Sequence, residues 1–397
     1  VSRNAVERST AITGIGQSAV GRRLGVDPLL LTLDACYEAI ADAGLDVEVV
    51  DGLSTFPGPS LGGAGFSGAS AYEVIDAMRL KVGWYDSGLE SPGQLGSVMK
   101  AVMAIHAGLA THVLCFRSVW EGSAQGTGGR RTAAAEASRA SGPSQWTSPY
   151  GSLSAANWIA LYAQAHMDRY GTTPEQLGQI AVNARRNAAL NPKAIYTDPM
   201  TIDDYLASRI ITTPLRLFDC DAPCDGATAV IVSAAESARD TASKPISIEA
   251  MGGALHDRAT WDQLEDLTRM VGAEAAAQMW SRTDLTPSDV DVAELYDGFS
   301  ILALLWIEAL GFVPFGEAGP FLEGGANIAL DGALPLNTQG GQLSGGRLHG
   351  YGFLHEAVVQ LRGEAGARQV PNEPKVAAVA AGGGNTCGCM LLSTREP

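Results

Sequence analysis

Cys224-Asp225-Gly226-Ala227-Thr228-Ala229-Val230-Ile231-Val232 and Val376-Ala377-Ala378-Val379-Ala380-Ala381-Gly382-Gly383-Gly384 read alike. Each joins glycine to a run of small and β-branched residues, the composition of a strand buried on both faces. Working outward, Phe218 to Ala234 and Val376 to Ser393 each read as two strands about a turn. What precedes them also matches in order. Ala11-Ile12-Thr13-Gly14-Ile15-Gly16 opens one half as a strand, and Ile246 to Ala250 opens the other. Each half later sends a glycine-rich turn into a helix. Strand–helix alternation repeated in this way predicts a layered α/β fold built from an internal duplication. The halves divide as 1–240 and 241–397.

Within the first half, Asp27-Pro28 opens a helix that carries Leu29, Leu33, Cys36 and Ile40 at helical spacing up to Gly44. Gly93 to Gly108 reads as a second helix and His112 to Phe116 as a buried strand. From about 118 to 200 the sequence turns to Ser, Gly, Ala and Thr, with helical periods returning only near 155–170 and 175–189. An irregular insertion of that length inside a compact protein is usually functional. Helices at Ser300 to Leu310 and Gly352 to Leu361 follow in the second half.

The charge balance narrows the function. Lys and Arg number 27 against 43 Asp and Glu, a formal net charge of −16, which argues against nucleic acid and against a polybasic membrane anchor. No apolar run reaches the ~18 residues that a membrane span needs, and no secretory leader is visible. Six Cys among 397 residues are too few for a disulfide framework, so a cytoplasmic setting with reduced thiols is expected. Cys220 and Cys224 lack a second ligand pair, so no metal site is expected.

Four segments, taken in order, resemble the thiolase superfamily in its sterol carrier protein x/lipid-transfer branch. They are Cys224 to Ala229, Glu294-Leu295-Tyr296-Asp297-Gly298-Phe299, Asn337-Thr338-Gln339-Gly340-Gly341 with Gly346 to Gly352, and Ala380 to Gly384. The likeness spans nearly the whole chain. It implies a thiolase-like fold, two similar βαβαβαββ halves forming a five-layered α-β-α-β-α sandwich. It also implies acyl-CoA thioester chemistry, with coenzyme A as part of the substrate rather than a cofactor bound by this chain. The thioester is expected against the Gly382-Gly383-Gly384 turn.

The departures direct the chemistry. The thiolase nucleophile position falls on Gly93, and that of the second thiolase cysteine on Ala380. The family's Gly-His-Pro motif has Arg347 for its His and Leu348 for its Pro. Without either cysteine, acyl transfer through an enzyme thioester is not expected. What remains is an enolate site, and an enolate site without a nucleophile suits aldol or retro-aldol chemistry. Tyr296 stands where relatives have Asn or His, which resembles the steroid side-chain-cleaving aldolases; there a Tyr is the base. Its phenol, with an ordinary pKa of about 10, needs a cation nearby, and Arg347 is the candidate. Arg347, His349 and Tyr351 are rival candidates for the acid. His256 is a candidate oxyanion donor; the alternative is a surface cluster with Asp257 and Arg258.

The resulting expectation is a lyase that cleaves a bulky, steroid side-chain β-hydroxyacyl-CoA to a carbonyl product plus acetyl-CoA or propionyl-CoA. Alternatives are a non-catalytic lipid or acyl-CoA carrier, or an acyl-CoA acyltransferase that relies on Cys387 or Cys389. The resemblance also implies a homodimer, with the apolar strand His112 to Phe116 as its edge. It further implies a small zinc-ribbon/OB-fold acyl-CoA-binding partner, completing a heterotetramer. No nucleic acid or membrane partner is expected.

Overall fold

The computed structural model describes residues 3–56, 65–88, 92–125, 141–256 and 260–396. Asp257 and Arg258 lie outside the described residues. The strands are β1 (Thr10–Gln17), β2 (Gly52–Thr55), β3 (Trp84–Ser87), β4 (His112–Trp120), β5 (Ile210–Thr212), β6 (Leu215–Arg216), β7 (Asp225–Ala234), β8 (Ile246–Leu255), β9 (Val292–Leu295), β10 (Val376–Gly383) and β11 (Thr386–Ser393). Nine of them run in the order β3-β2-β4-β7-β1-β8-β11-β10-β9, while β5 and β6 form a separate ribbon.

This order contains the duplication. In the first half β2 pairs parallel with β4, β4 antiparallel with β7, and β7 antiparallel with β1. In the second half β9, β10, β11 and β8 repeat those three pairings in the same senses. The halves meet where β1 and β8 run antiparallel through Ala11↔Ser247 and Ile12↔Ile246. β3 is added outside β2 in the first half, and among the described residues it has no counterpart in the second.

Two expectations need correction. Phe218 to Ala234 is not a strand pair: Leu217–Asp219 is a 3-10 turn and only Asp225–Ala234 is a strand. The hairpin partner of β7 is β4, distant in sequence. Residues 121–224 therefore stand where the second half has only Gly384-Asn385 between β10 and β11. The insertion begins after Trp120, because β4 runs on through Arg117 and Ser118, whose polarity breaks the apolar run. Second, His112 to Phe116 is not an edge, since β4 lies between β2 and β7. The edge is β3, four residues whose side chains alternate between half-buried and exposed. So short and polar a strand gives almost no sequence signal.

Helices complete five layers. Pro28–Asp42, with the Asp27 side chain accepting from the Leu29 N–H and Pro28 in the first turn, covers β1 and β7 on one outside. Gly272–Ser281 covers β8 and β11 on the other. Between the half-sheets lie Gly96–His106, against β2, β4 and β7, and Tyr351–Arg362, which touches β1 and β7 as well as β9 and β10. Ser300–Ala309 is apolar on nearly all sides because it is buried on nearly all sides. Its Trp306 donates from Nε1 to the Gly382 carbonyl at 3.0 Å, tying this helix to the turn between β10 and β11.

Candidate active site

The site forms where β9 ends. The Tyr296 N–H, one residue past β9, donates to the Ala380 carbonyl at 3.0 Å. On the open side of β9 the Asn337 side chain takes the place of a neighbouring strand, accepting from the Leu295 N–H at 2.7 Å and donating to its carbonyl at 2.9 Å. That pins the loop Gly340 to Gly350 beside the strand end. Gly341, at φ +57°, lies so close that a Cβ there would come within 1.9 Å of Asp297 Oδ2. The Gln342 N–H donates to Asp297 Oδ1 at 2.7 Å. The end of the insertion clamps both segments: the Asp221 N–H donates to the Gly298 carbonyl, the Ala222 N–H to the Gln342 carbonyl, and the Arg347 N–H to the Ala222 carbonyl.

Charge is concentrated behind this corner. Arg347 is buried between Glu121 at 2.8 Å and Asp221 at 3.0 Å. Burial alone would weaken its cation, but the two carboxylates outweigh that and raise its pKa above the ordinary value. Burial likewise works against the Glu121 anion. His349, Arg347 and Arg117 overcome it and hold this carboxyl down at about 2. His349 Nε2 is 3.5 Å from Glu121. Burial depresses the imidazole to about 3, so near neutral pH the carboxylate faces an uncharged ring. The ring also meets Phe66 edge-on at 4.5 Å between centroids. Phe66 and Phe56 hold the Arg117 guanidinium at 5.0 and 5.1 Å from their centroids. Two guanidinium groups thus balance two carboxylates, and the cation near Tyr296 is largely compensated rather than alone.

The sequence candidates separate in space. Tyr296, Arg347 and His349 come together: Tyr296 is within electrostatic reach of Arg347, with its ring 6.4 Å from that of Phe353. The fully buried Tyr351 turns instead to the helix Gly96–His106, where its hydroxyl shares a 2.7 Å hydrogen bond with Ser97. Burial pushes its phenol well above the ordinary value. His256 follows β8, about half exposed, with Nε2 3.8 Å from Glu274. The Gly382-Gly383-Gly384 turn is covered by Trp261 and touches Gly93. Gly93 itself, at φ +61°, has no space for a side chain; a Cβ would come within 2.5 Å of the Ala381 carbonyl. Cys387 and Cys389 are fully buried in β11, and burial raises both thiols, the opposite of what a nucleophile needs. Among the described residues no group of three or more His, Cys, Asp and Glu could hold a metal.

Glu121, Asp221, Asp297 and Gln342 complete the site, and sequence reasoning assigned none of them a role. Glu121 opens the insertion, and Asp221 lies near its end. Asp297 adjoins Tyr296, and burial raises its carboxyl to about 7. Its Oδ2, Gln342 Nε2 and His349 Nδ1 are buried without a hydrogen-bond partner. Natural interiors rarely leave such groups unpaired. Gln342 also lines a surface recess with Gln17, Val20, Lys193, Leu348 and Phe353.

Known proteins resemble this chain in sequence and fold. Residues 253–392 match the family described as "Thiolase C-terminal domain-like". A steroid side-chain-cleaving aldolase of Thermomonospora curvata is 34% identical over 98% of this chain and 98% of its own length. The chain belongs to the thiolase superfamily. Its relatives in this aldolase branch include a 17-hydroxy-3-oxo-4-pregnene-20-carboxyl-CoA lyase of Mycobacterium tuberculosis, 36% identical over 89% of this chain and 91% of that one. The solved structure of an Ltp2-ChsH2(DUF35) aldolase superposes with a TM-score of 0.86 at 32% identity, covering 98% of both chains. The two relatives that align over most of the chain are named as an aldolase and a lyase, whereas an acetyl-CoA acetyltransferase of Methanothermobacter thermautotrophicus, 40% identical, aligns over 53% of it.

Proposed function

We propose that this thiolase-superfamily chain is a retro-aldol carbon–carbon lyase. Its substrate is a β-hydroxyacyl-CoA with a bulky steroid side chain, and its products are a carbonyl compound and acetyl-CoA or propionyl-CoA. The observation that carries this reading is the pairing of Tyr296 at a buried strand end with a nucleophile position, Gly93, that has no space for a side chain. Tyr296 takes the proton of the β-hydroxyl. The Cα–Cβ electron pair then leaves towards the thioester, giving the carbonyl product and an enolate. An acid at the same site returns a proton to Cα. Coenzyme A belongs to the substrate, and this chain binds no separate cofactor.

We also infer a homodimer, and a small acyl-CoA-binding partner that completes a heterotetramer. The name of the Ltp2-ChsH2(DUF35) aldolase, which joins two components, supports a partner. The deciding experiment incubates the protein, with and without such a partner, with a steroidal β-hydroxyacyl-CoA and follows the released ketone and short acyl-CoA. Stoichiometric release supports the lyase. Tight binding of the thioester without cleavage would instead identify a carrier.

A further inference from the structure

We propose that Gln342 donates a hydrogen bond from Nε2 to the substrate's thioester oxygen, the atom that becomes the enolate oxygen when the Cα–Cβ bond breaks. This rests on the lyase reading above. The orientation of the amide is fixed by its partner. Gln342 Oε1 accepts from the His349 backbone N–H at 3.1 Å, and an N–H can only donate, so Nε2 must be the other atom. The residue is held at three further points: its own N–H on Asp297 Oδ1, its carbonyl under the Ala222 N–H, and its place in the buried turn Gly341–Gly345. Nε2 is nevertheless left with two N–H groups and no acceptor, in a residue only 3% exposed.

That combination describes a donor waiting for a ligand oxygen. The recess beside it is lined by Gly341, Gly345, Gly346 and Gly350 together with the side chains of Lys193 and Phe353. The substrate's two reacting oxygens are close neighbours, the hydroxyl on Cβ and the thioester oxygen one carbon beyond Cα. Their binding groups must therefore sit on adjoining segments. Tyr296 and Gln342 do so, because the Asp297–Gln342 hydrogen bond of 2.7 Å joins the two segments. As the bond breaks, the hydroxyl proton passes to Tyr296 and negative charge grows on the oxygen facing Gln342. A fixed donor at that point stabilises the transition state more than the ground state.

Two variants separate donation from scaffolding. Gln342→Glu keeps an oxygen for the His349 N–H and loses the donor; Gln342→Met loses both without adding charge. The full chain, with its partner where one co-purifies, is assayed for cleavage and for its ability to raise the near-ultraviolet enolate band of bound acetoacetyl-CoA. Both variants should lose about 10²- to 10³-fold in kcat, with KM little changed, and should lose the enolate band. Wild-type turnover or a wild-type band in either folded variant would overturn the assignment. A wild type that cleaves nothing, yet shows a band that Gln342→Glu abolishes, would sink the lyase reading and keep the donor. A wild type with neither activity nor band would sink both.

Discussion

Tyr296→Phe removes one hydroxyl and almost no volume. If that hydroxyl accepts the substrate proton, kcat should fall by about 10²- to 10⁴-fold with an unchanged unfolding midpoint; near-normal turnover would transfer the role to His349. Arg347→Met should act mainly on stability. It leaves Glu121 and Asp221 buried without their shared cation, a loss of about 3–5 kcal/mol, measurable by urea denaturation. The pH dependence of stability has two opposing limbs here. Folded His349 stays neutral down to about 3, while an unfolded His takes its proton near 6.5. The unfolded state then binds more protons, so stability falls as pH drops through that window. Glu121 adds to the fall between 4.5 and about 2. Asp297 works the other way, holding a proton up to about 7 that an unfolded Asp releases near 3.8, so it lowers stability as pH rises between those values. His349→Asn, tolerated at φ +49°, should flatten the acid limb in urea titrations at a series of pH values. Asp297→Asn should flatten the limb between about 4 and 7, and curves parallel to wild type would contradict both assignments. Arg347 and His349 drew notice because glycines frame them in sequence, and Tyr296 through the family resemblance of its segment. Glu121 and Gln342 did not, since their roles come from partners hundreds of residues away or from an amide orientation that only the fold defines.

At the scale of elements, the turn that leads into the helix Gly96–His106 is tightly constrained. Gly93 packs on the Ala381 carbonyl and the Gly388 N–H, and its own N–H donates to Thr386 Oγ1 at 3.1 Å. Gly93→Ala should therefore cost about 1–3 kcal/mol, from the positive φ and from overpacking. Gly93→Cys should destabilise similarly without creating a thiolase; a Gly93→Cys protein that is as stable as wild type and takes up acetyl from acetyl-CoA would refute this. The sequence displayed most elements plainly, because Asp27-Pro28 and the apolar spacing after it, or the run Val376 to Ala381, are local signals. It misplaced the partner of β7, because a hairpin interrupted by an insertion leaves no turn to read. It missed β3 altogether, because Trp84-Tyr85-Asp86-Ser87 has neither length nor an apolar face.

For the whole molecule, the position of β3 moves the expected dimer contact. An edge strand offers unpaired backbone groups to a second copy, and Tyr85 on β3 is more than half exposed beside the similarly exposed Tyr72. Sedimentation should show two copies of this chain, and Tyr85→Pro, which removes an N–H from that edge, should shift the protein towards one; a dimer indifferent to the change would place the contact elsewhere. Intact mass after incubation with acetyl-CoA should show no acetyl adduct. The repeated strand order carries a further consequence. The residue after β2 that corresponds to Tyr296 after β9 is Phe56. One corner of the duplicated plan carries a phenol, and its counterpart carries a ring without a hydroxyl, under the Arg117 guanidinium and tilted against Tyr351. If Tyr296 is the base, the corner at Phe56 should accept any residue that fills its space, while the corner at Tyr296 should accept only one that also keeps the hydroxyl.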